Sequence, residues 1–555
     1  MSRTSIRRRY PCGLSKARVS QLRTTLLVNG RVHSPTQPDA TAMAVRDGVV
    51  IWLGSDDVGR GQFAGADVVD LDGGFVAPGF VDSHIHLTAT GLTLTGLDLR
   101  ASTSRRHCLQ LIADYAAAHP GEPIWGHGWD ESSWSEHAPP STADLDAVLG
   151  ERPAYLTRVD VHSALASTGL RKRVWGLPSA TGFAEQRPLV GDAHHLVRAA
   201  ARGLLTDGQR AAARLAALNA AAANGIVAVH ECAGPEIGGL DDWHELRALG
   251  SRGHGVEVIG YWGQAVTSPA QARVVLEETG AAGLAGDLFV DGALGSRTAW
   301  LHEPYADTPD HAGTCYLDAE VVTAHLRACT QAGVTAGFHV IGDAAVSMVV
   351  AGLEHVVEDL GVVAVARCGH RLEHLEMVTA DQAAKLGAWG VMASMQPNFD
   401  ALWGGPDGMY ADRLGIARAG HLNPFALLAS QGVALAFGSD APVTGLDPWA
   451  TIRAAANHQT PQSSISVRAA FAAATRGGWR AGGAGDGLSG SLVPGAPASY
   501  AVWDCGELDV SAPSDVVRRW STDPRSRVPA LPRLGPTDSL PRCRQTVHRG
   551  AVIHG

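Results

Sequence analysis

Two histidines one residue apart, His84 and His86, end the short apolar stretch Val76–Val81, which is broken by Pro78-Gly79. On a strand alternate side chains share a face, so both imidazoles point the same way, and two imidazoles at a strand end are half of a metal site. A bare His-x-His is as readily a surface or capping pair, but the apolar strand before it favours a metal. Later apolar runs end in polar residues of the same kind: His339 in Gly337–Asp343, His374 in Gly369–His374 and Asp440 in Ala436–Pro442. A lone histidine there is more often a satisfied core residue. Four histidines and an aspartate, each closing an apolar run, point to metal binding.

These residues must be held by a repeating scaffold. After the opening strand, apolar runs recur at Ile226–Cys232, Val256–Trp262, Leu288–Asp291, Thr335–Ile341, Cys368–Leu375, Val391–Gln396 and Val433–Asp440. Helical segments separate most of them: Gln209–Ala223, Glu320–Ala332, Ala344–Leu360, Asn423–Gln431 and Pro448–Asn457. Eight strand–helix units predict an α/β fold, a (β/α)8 TIM-type barrel whose chemistry sits at the C-terminal strand ends. Short strands at both chain ends, with a hairpin signal at Arg46-Asp47-Gly48, predict a small β-sandwich domain assembled from the two termini. The expected boundaries are a disordered basic extension over 1–23, sandwich segments at 24–77 and 491–555, and a barrel over 78–490. A Trp-, His- and Gly-rich insertion at about 88–205, between the first strand and its helix, reads as a lid over the substrate pocket.

Composition narrows the function. A formal net charge of -10 without a basic stripe argues against nucleic acid as partner. The eight cysteines contain no Cys-x-x-Cys, which argues against a thiolate zinc site and fits a reducing cytoplasm. No apolar run reaches membrane-spanning length, and the basic N-terminus lacks the apolar core of a signal peptide. The expected partner is a small-molecule substrate, and a homo-oligomer is compatible with the chain.

The order His-x-His, His, His, Asp resembles the metal-dependent amidohydrolase superfamily. Finer stretches resemble its amidohydrolase family 3, the group with N-substituted formamide deformylase-like enzymes: Pro78–Leu87, Gly126–Trp134, Asp160–Ser163, Asp291–Ala299, His339–Asp343, Arg371–His374, Ser394–Pro397 and Gly438–Val443. Together they run from about residue 25 to the C-terminus. The resemblance implies a divalent metal, zinc being the expectation, with one or two ions per chain. Such a metal lowers the pKa of bound water to about 7, and the resulting hydroxide attacks a carbonyl carbon. Asp440 would orient it, take its proton and pass that proton to a leaving nitrogen. The expected activity is hydrolysis of a non-peptide carbon–nitrogen bond in a small amide. Deamination or ester and lactone hydrolysis use the same nucleophile, and a catalytically silent relative acting as a ligand-binding or partner scaffold is the alternative from another class.

His162 and Arg297 are candidate substrate contacts, by resemblance and by polar chemistry, and Arg297 has an alternative role as a structural ion-pair partner. Trp129 and Trp134 are candidates for an apolar pocket wall. One departure concerns Asp287, which stands where the family usually has a carboxylated lysine bridging two metals. If the fourth strand runs through Asp291, strand rise puts Asp287 roughly 13 Å below it, too far for a short side chain. On that reading the protein holds one metal tightly, with any second ion weak. The alternatives are that the strand shifts or that Asp291 supplies the bridge.

Overall fold

A computed structural model of the protein describes residues 23–251, 255–509 and 528–555. The expected basic extension lies outside the described residues, apart from Arg23.

Strands from both chain ends form two sheets. One runs Val49–Gly54, Ala42–Arg46, Thr24–Val28, Asp67–Asp70. The other runs Arg31–Val32, Phe75–Pro78, Tyr500–Asp504, Arg542–His548, Ala551–His554. Leu27, Met43, Val50 and Leu53 pack with Val76, Tyr500, Val502 and Val547 in one buried cluster, so distant segments share a core. The hairpin at Asp47-Gly48 has positive φ at both residues, 50° and 74°, as a tight two-residue turn requires. The C-terminal stretch Arg542–His554 is itself a hairpin, turning at Arg549-Gly550.

Gly79 hands the chain from this unit to the larger one. Phe75–Pro78 pairs with Tyr500–Asp504, whereas Phe80–Ile85 pairs with Ile226–Ala233. A Cβ on Gly79 would lie 2.4 Å from Val227 Cγ1, which explains the glycine at this crossing.

Eight strands follow in sequence order around one parallel sheet: Phe80–Ile85, Ile226–Ala233, Glu257–Trp262, Gly283–Leu284, Thr335–Val340, Arg371–His374, Met392–Met395 and Ala434–Phe437. The sheet is nearly closed into a barrel. An Ile85–Ala441 bridge joins its ends, the Asp440 N–H donates to His84 O (2.8 Å), and the His86 N–H donates to Ala441 O (2.9 Å). Closure therefore sets the first and last candidate ligands side by side. Helices fill the outer layer. Asp207–Ala223 opens with a Thr206–Gln209 capping box, and Ala319–Ala332 ends at Gly333 with φ 72°.

Two expectations fail here. The fourth strand is not Leu288–Asp291 but Gly283–Leu284. Beyond it the backbone turns, with Gly286 at φ 78° and the Leu288 N–H bonded to Gly286 O at 2.9 Å, and regular pairing is lost except for a Phe289–His339 bridge. The insertion also starts later. Helix Leu87–Thr95 comes directly after the first strand and packs on Asp207–Ala223, so closely that a Cβ on Gly91 would overlap the Ala213 carbonyl. The inserted chain beyond this helix is a folded layer, a five-stranded sheet ordered Leu189–Val190, Ser163–Ala166, Ala154–Arg158, Ile124–Trp129, Leu97–Asp98, with helix Gly191–Arg202 beside it.

Candidate active site

The barrel brings His84, His86, His339, His374 and Asp440 together, all buried. The His374 ring centroid is 4.9 Å from His84 and 4.4 Å from His339. His84 Nε2 and His86 Nε2 lie 3.5 and 3.3 Å from the same oxygen, Asp440 Oδ1. His374 and Asp440 hold left-handed φ values of 71° and 53°, which cost energy in non-glycine residues and cluster where function demands them. At His374 this bend ends the strict alternation of the strand, so Glu373 and His374 both serve the interior.

Asp287 is part of this cluster, contrary to the argument from strand rise. Its Oδ1 lies 3.4 Å from His84 Nε2 and 3.8 Å from His339 Nδ1, and its Oδ2 lies 3.2 Å from His86 Nε2. No extended strand runs through Asp287: the chain leaves the sheet after Leu284, and the turn at Gly286–Leu288 delivers Asp287 to the strand ends. Asp291 is not the bridge. Its carboxylate accepts the backbone N–H groups of Ile341 (3.0 Å), Gly342 (2.8 Å) and Trp300 (2.9 Å).

Hydrogen bonds assign the imidazole faces. His84 Nδ1 is 2.9 Å from Glu373 Oε2, His374 Nδ1 is 2.7 Å from Gln396 Oε1, and His339 Nε2 is 3.2 Å from Gly292 O. Each partner is an acceptor, so each ring donates there and presents a lone pair on its other nitrogen. Glu373 is fixed in turn by Arg371, whose Nε and Nη2 reach its two oxygens at 2.5 and 2.9 Å. Buried within the cluster, His84 Nε2, His339 Nδ1, Asp287 Oδ1 and Asp440 Oδ1 have no hydrogen-bond partner. Unpaired buried polar atoms of this kind are costly unless something binds them. The trios His84–His86–Asp440 and His84–Asp287–His374 each bring three ligand atoms within 4.8 Å of one another. This donor set fits a divalent cation.

The electrostatics agree. Burial and then the neighbouring His339 and His84 push His374 down to about 3, so its imidazole is neutral at pH 7. Burial works against charge on His86, but Asp287 and Asp440 outweigh it and raise its pKa to about 10. The same imidazoles hold Asp287 well below the usual carboxylate range despite its burial. The cluster thus demands positive charge, taken as protons or as a metal.

Above it opens a cavity of about 910 Å3, mouth included, that the inserted layer shares with the barrel. His162 lines it, its ring 5.0 Å from that of His339. A turn holds His162 there: Asp160 Oδ1 accepts its N–H at 3.2 Å, and Arg158 bonds Asp160 Oδ2 at 2.9 Å. Arg297 and Trp129 are not brought to the cavity. Arg297 pairs with Asp307 at 2.6 Å, the structural alternative. Trp129 and Trp134 sit at 1% exposure in the core of the insertion, their indole N–H groups on Leu156 O and Ser102 O. The aromatic wall is instead Trp125, Tyr155 and Phe289. Sequence reasoning also missed His127, Glu373 and Gln396. His127 bonds Thr157 Oγ1 (2.8 Å) and Pro442 O (3.0 Å), tying the insertion to the loop after Asp440. All three lie in the family-like stretches Gly126–Trp134, Arg371–His374 and Ser394–Pro397, but only the fold shows what they touch.

Comparison with known proteins is consistent with this geometry. A protein of Arabidopsis thaliana, "Protein LONG AFTER FAR-RED 3", is 29% identical over 88% of this chain and 89% of its own length. "Putative amidohydrolase YtcJ" of Bacillus subtilis (strain 168) is 28% identical, covering 75% of this chain and 79% of that protein. The crystal structure of an uncharacterized metal-dependent hydrolase from Pyrococcus horikoshii OT3 superposes with a TM-score of 0.67 at 25% identity, over 87% of this chain and 98% of that one. Its counterpart from Pyrococcus furiosus gives 0.65 at 25% identity over 86% and 98%. The sequence profile of the Amidohydrolase family matches residues 67–554, and with the barrel and its histidine–aspartate cluster this places the chain in that family.

Proposed function

We propose that this hydrolase cleaves a carbon–nitrogen bond, other than a peptide bond, in a small amide or related compound. His84, His86, His339, His374 and Asp440 would hold the metal, with Asp287 a further carboxylate among them, and the nitrogen-rich donor set suits zinc. The observation that carries this reading is the convergence of partnerless, buried ligand atoms from four strands or strand ends beside His374. When bound, the cation supplies Lewis acidity, lowering the pKa of a water molecule to about 7 and polarising the scissile carbonyl.

The chain does the rest. Asp440 accepts the proton of the attacking water on its carboxylate and returns it to the departing nitrogen, so the amine leaves neutral. His162, kept neutral by burial and by the adjacent His339, stands beside the cluster to hydrogen-bond the substrate's oxygen. Phe289, Trp125 and Tyr155 exclude water from the organic part of the substrate.

Asp440→Asn tests the assignment, because Asn retains the shape and an oxygen ligand but takes no proton at neutral pH. Metal content, measured by elemental analysis, should stay near normal, while turnover in an amide-library screen falls on the order of 10²-fold or more. Unchanged turnover would remove Asp440 from the mechanism.

A further inference from the structure

The proton-transfer and metal-binding groups account for one end of the cavity only. At the other, helix Gly191–Arg202 lays His194, Arg198 and Arg202 along the wall, at the i, i+4, i+8 spacing of a single helix face. Arg198 is half-buried, and its Nε is fully sequestered without a hydrogen-bond partner. Its Nη2 donates to the backbone carbonyl of Glu236 at 2.9 Å. Among the described residues no ion pair neutralises it. The Glu236 carboxylate is on His195 Nδ1 (3.2 Å), and the Asp242 carboxylate, which also lines the cavity, is occupied by Arg214 (2.7 Å) and Thr88 (2.9 Å). Glu231 stands at the metal end, accepting the Leu87 N–H at 2.7 Å. Burial and then Arg198 hold His194 and His195 neutral, so the guanidinium is the local charge.

We propose that Arg198 is a specificity residue that binds a carboxylate at the non-reacting end of the substrate, so that the natural substrate is an anionic amide. With Nε sequestered, the Nη1–Nη2 edge is the side of the guanidinium that a carboxylate would meet, and among aromatic walls the pair is stronger than in water. The span fits a small molecule. Phe289 forms the apolar wall between, 4.9 Å from His339 and 6.2 Å from His195, which precedes Arg198 by three residues on the same helix. Arg202 is secondary, its Nη1 being committed to Ile237 O at 3.0 Å.

This specificity rests on the hydrolase reading, so its test does not depend on turnover. Calorimetry compares 4-phenylbutyrate with 4-phenylbutanol, which share a shape and differ in charge, on the metal-loaded wild type and on Arg198→Gln and Arg198→Lys. The expected result is about tenfold or tighter binding of the carboxylate by the wild type, loss of that preference in Arg198→Gln, and partial retention in Arg198→Lys. Circular dichroism confirms that each variant is folded, and if Arg198→Gln is not, the wild-type preference and Arg198→Lys carry the comparison. Equal or absent binding of the two probes by the wild type overturns the proposal. So does an undiminished preference in Arg198→Gln, which would place the carboxylate on the metal. If the preference behaves as expected but no amide is hydrolysed, the catalytic reading fails and the anion site stands.

Discussion

The barrel end and the inserted layer face one cavity yet treat their polar groups in opposite ways. On the barrel side His84, His374 and His339 each spend one nitrogen on a fixed acceptor, and the other nitrogens of His84 and His339 stay bare beside Asp287. On the insertion side the rings pack on one another, as Trp125 does on Tyr155 at 4.6 Å, and Arg198 has no ion pair among the described residues. On the proposed function, the first arrangement orients ligands for a cation and a proton transfer. The second is a surface for recognising a molecule. Substitutions in the first should therefore act on metal content and kcat, and those in the second on KM.

The hardest way to break this contrast is to remove a ligand. His84→Ala or His339→Ala should abolish turnover and lower bound metal while the barrel stays folded; full metal by elemental analysis in both variants would defeat the assignment. Asp287→Ala comes next. Since its two oxygens lie among three imidazoles, metal titration into metal-free protein should show at least one ion weakened beyond the about 10–100-fold expected of an outer partner. Unchanged titration would return Asp287 to a bystander role. Glu373→Gln touches no metal but loosens the grip on His84 and leaves Arg371 buried without its counter-ion. Metal affinity should fall about 10–100-fold, and the melting temperature should fall as well. The smallest effect sharpens the other side: Trp125→Ala should raise KM by about two- to tenfold with kcat nearly unchanged. A large kcat loss there would mean that the two walls are not separate in function.

A second contrast lies within the barrel. The fifth strand, Thr335–Val340, is regular, and its histidine is located by counting along it. The fourth shrinks to Gly283–Leu284, and the same counting misplaces Asp287. Strand rise is a ruler only where the backbone is extended, and a left-handed glycine such as Gly286 invalidates it. Trp129 and Arg297 fail for a related reason. Residue type marks them as capable of lining a pocket, but a tryptophan among leucines packs inward, and Arg297 pairs with Asp307, which also holds Arg413.

From the sequence alone came the elements and the ligand types. Period-two and helical apolar patterns specified most strands and helices, and polar residues closing apolar runs identified His84, His86, His339, His374 and Asp440. Those signals are local, because a strand's alternation and a helix's face are written within a dozen residues. Tertiary structure alone decided which nitrogen of each imidazole is bare, that Asp287 joins the cluster, and that Arg198 looks onto the same cavity as His339. Those facts depend on contacts such as Glu373 with His84, separated by 289 residues, and on barrel closure at Ile85–Ala441. No local pattern encodes such pairings, because they exist only once eight strands have met around a common axis.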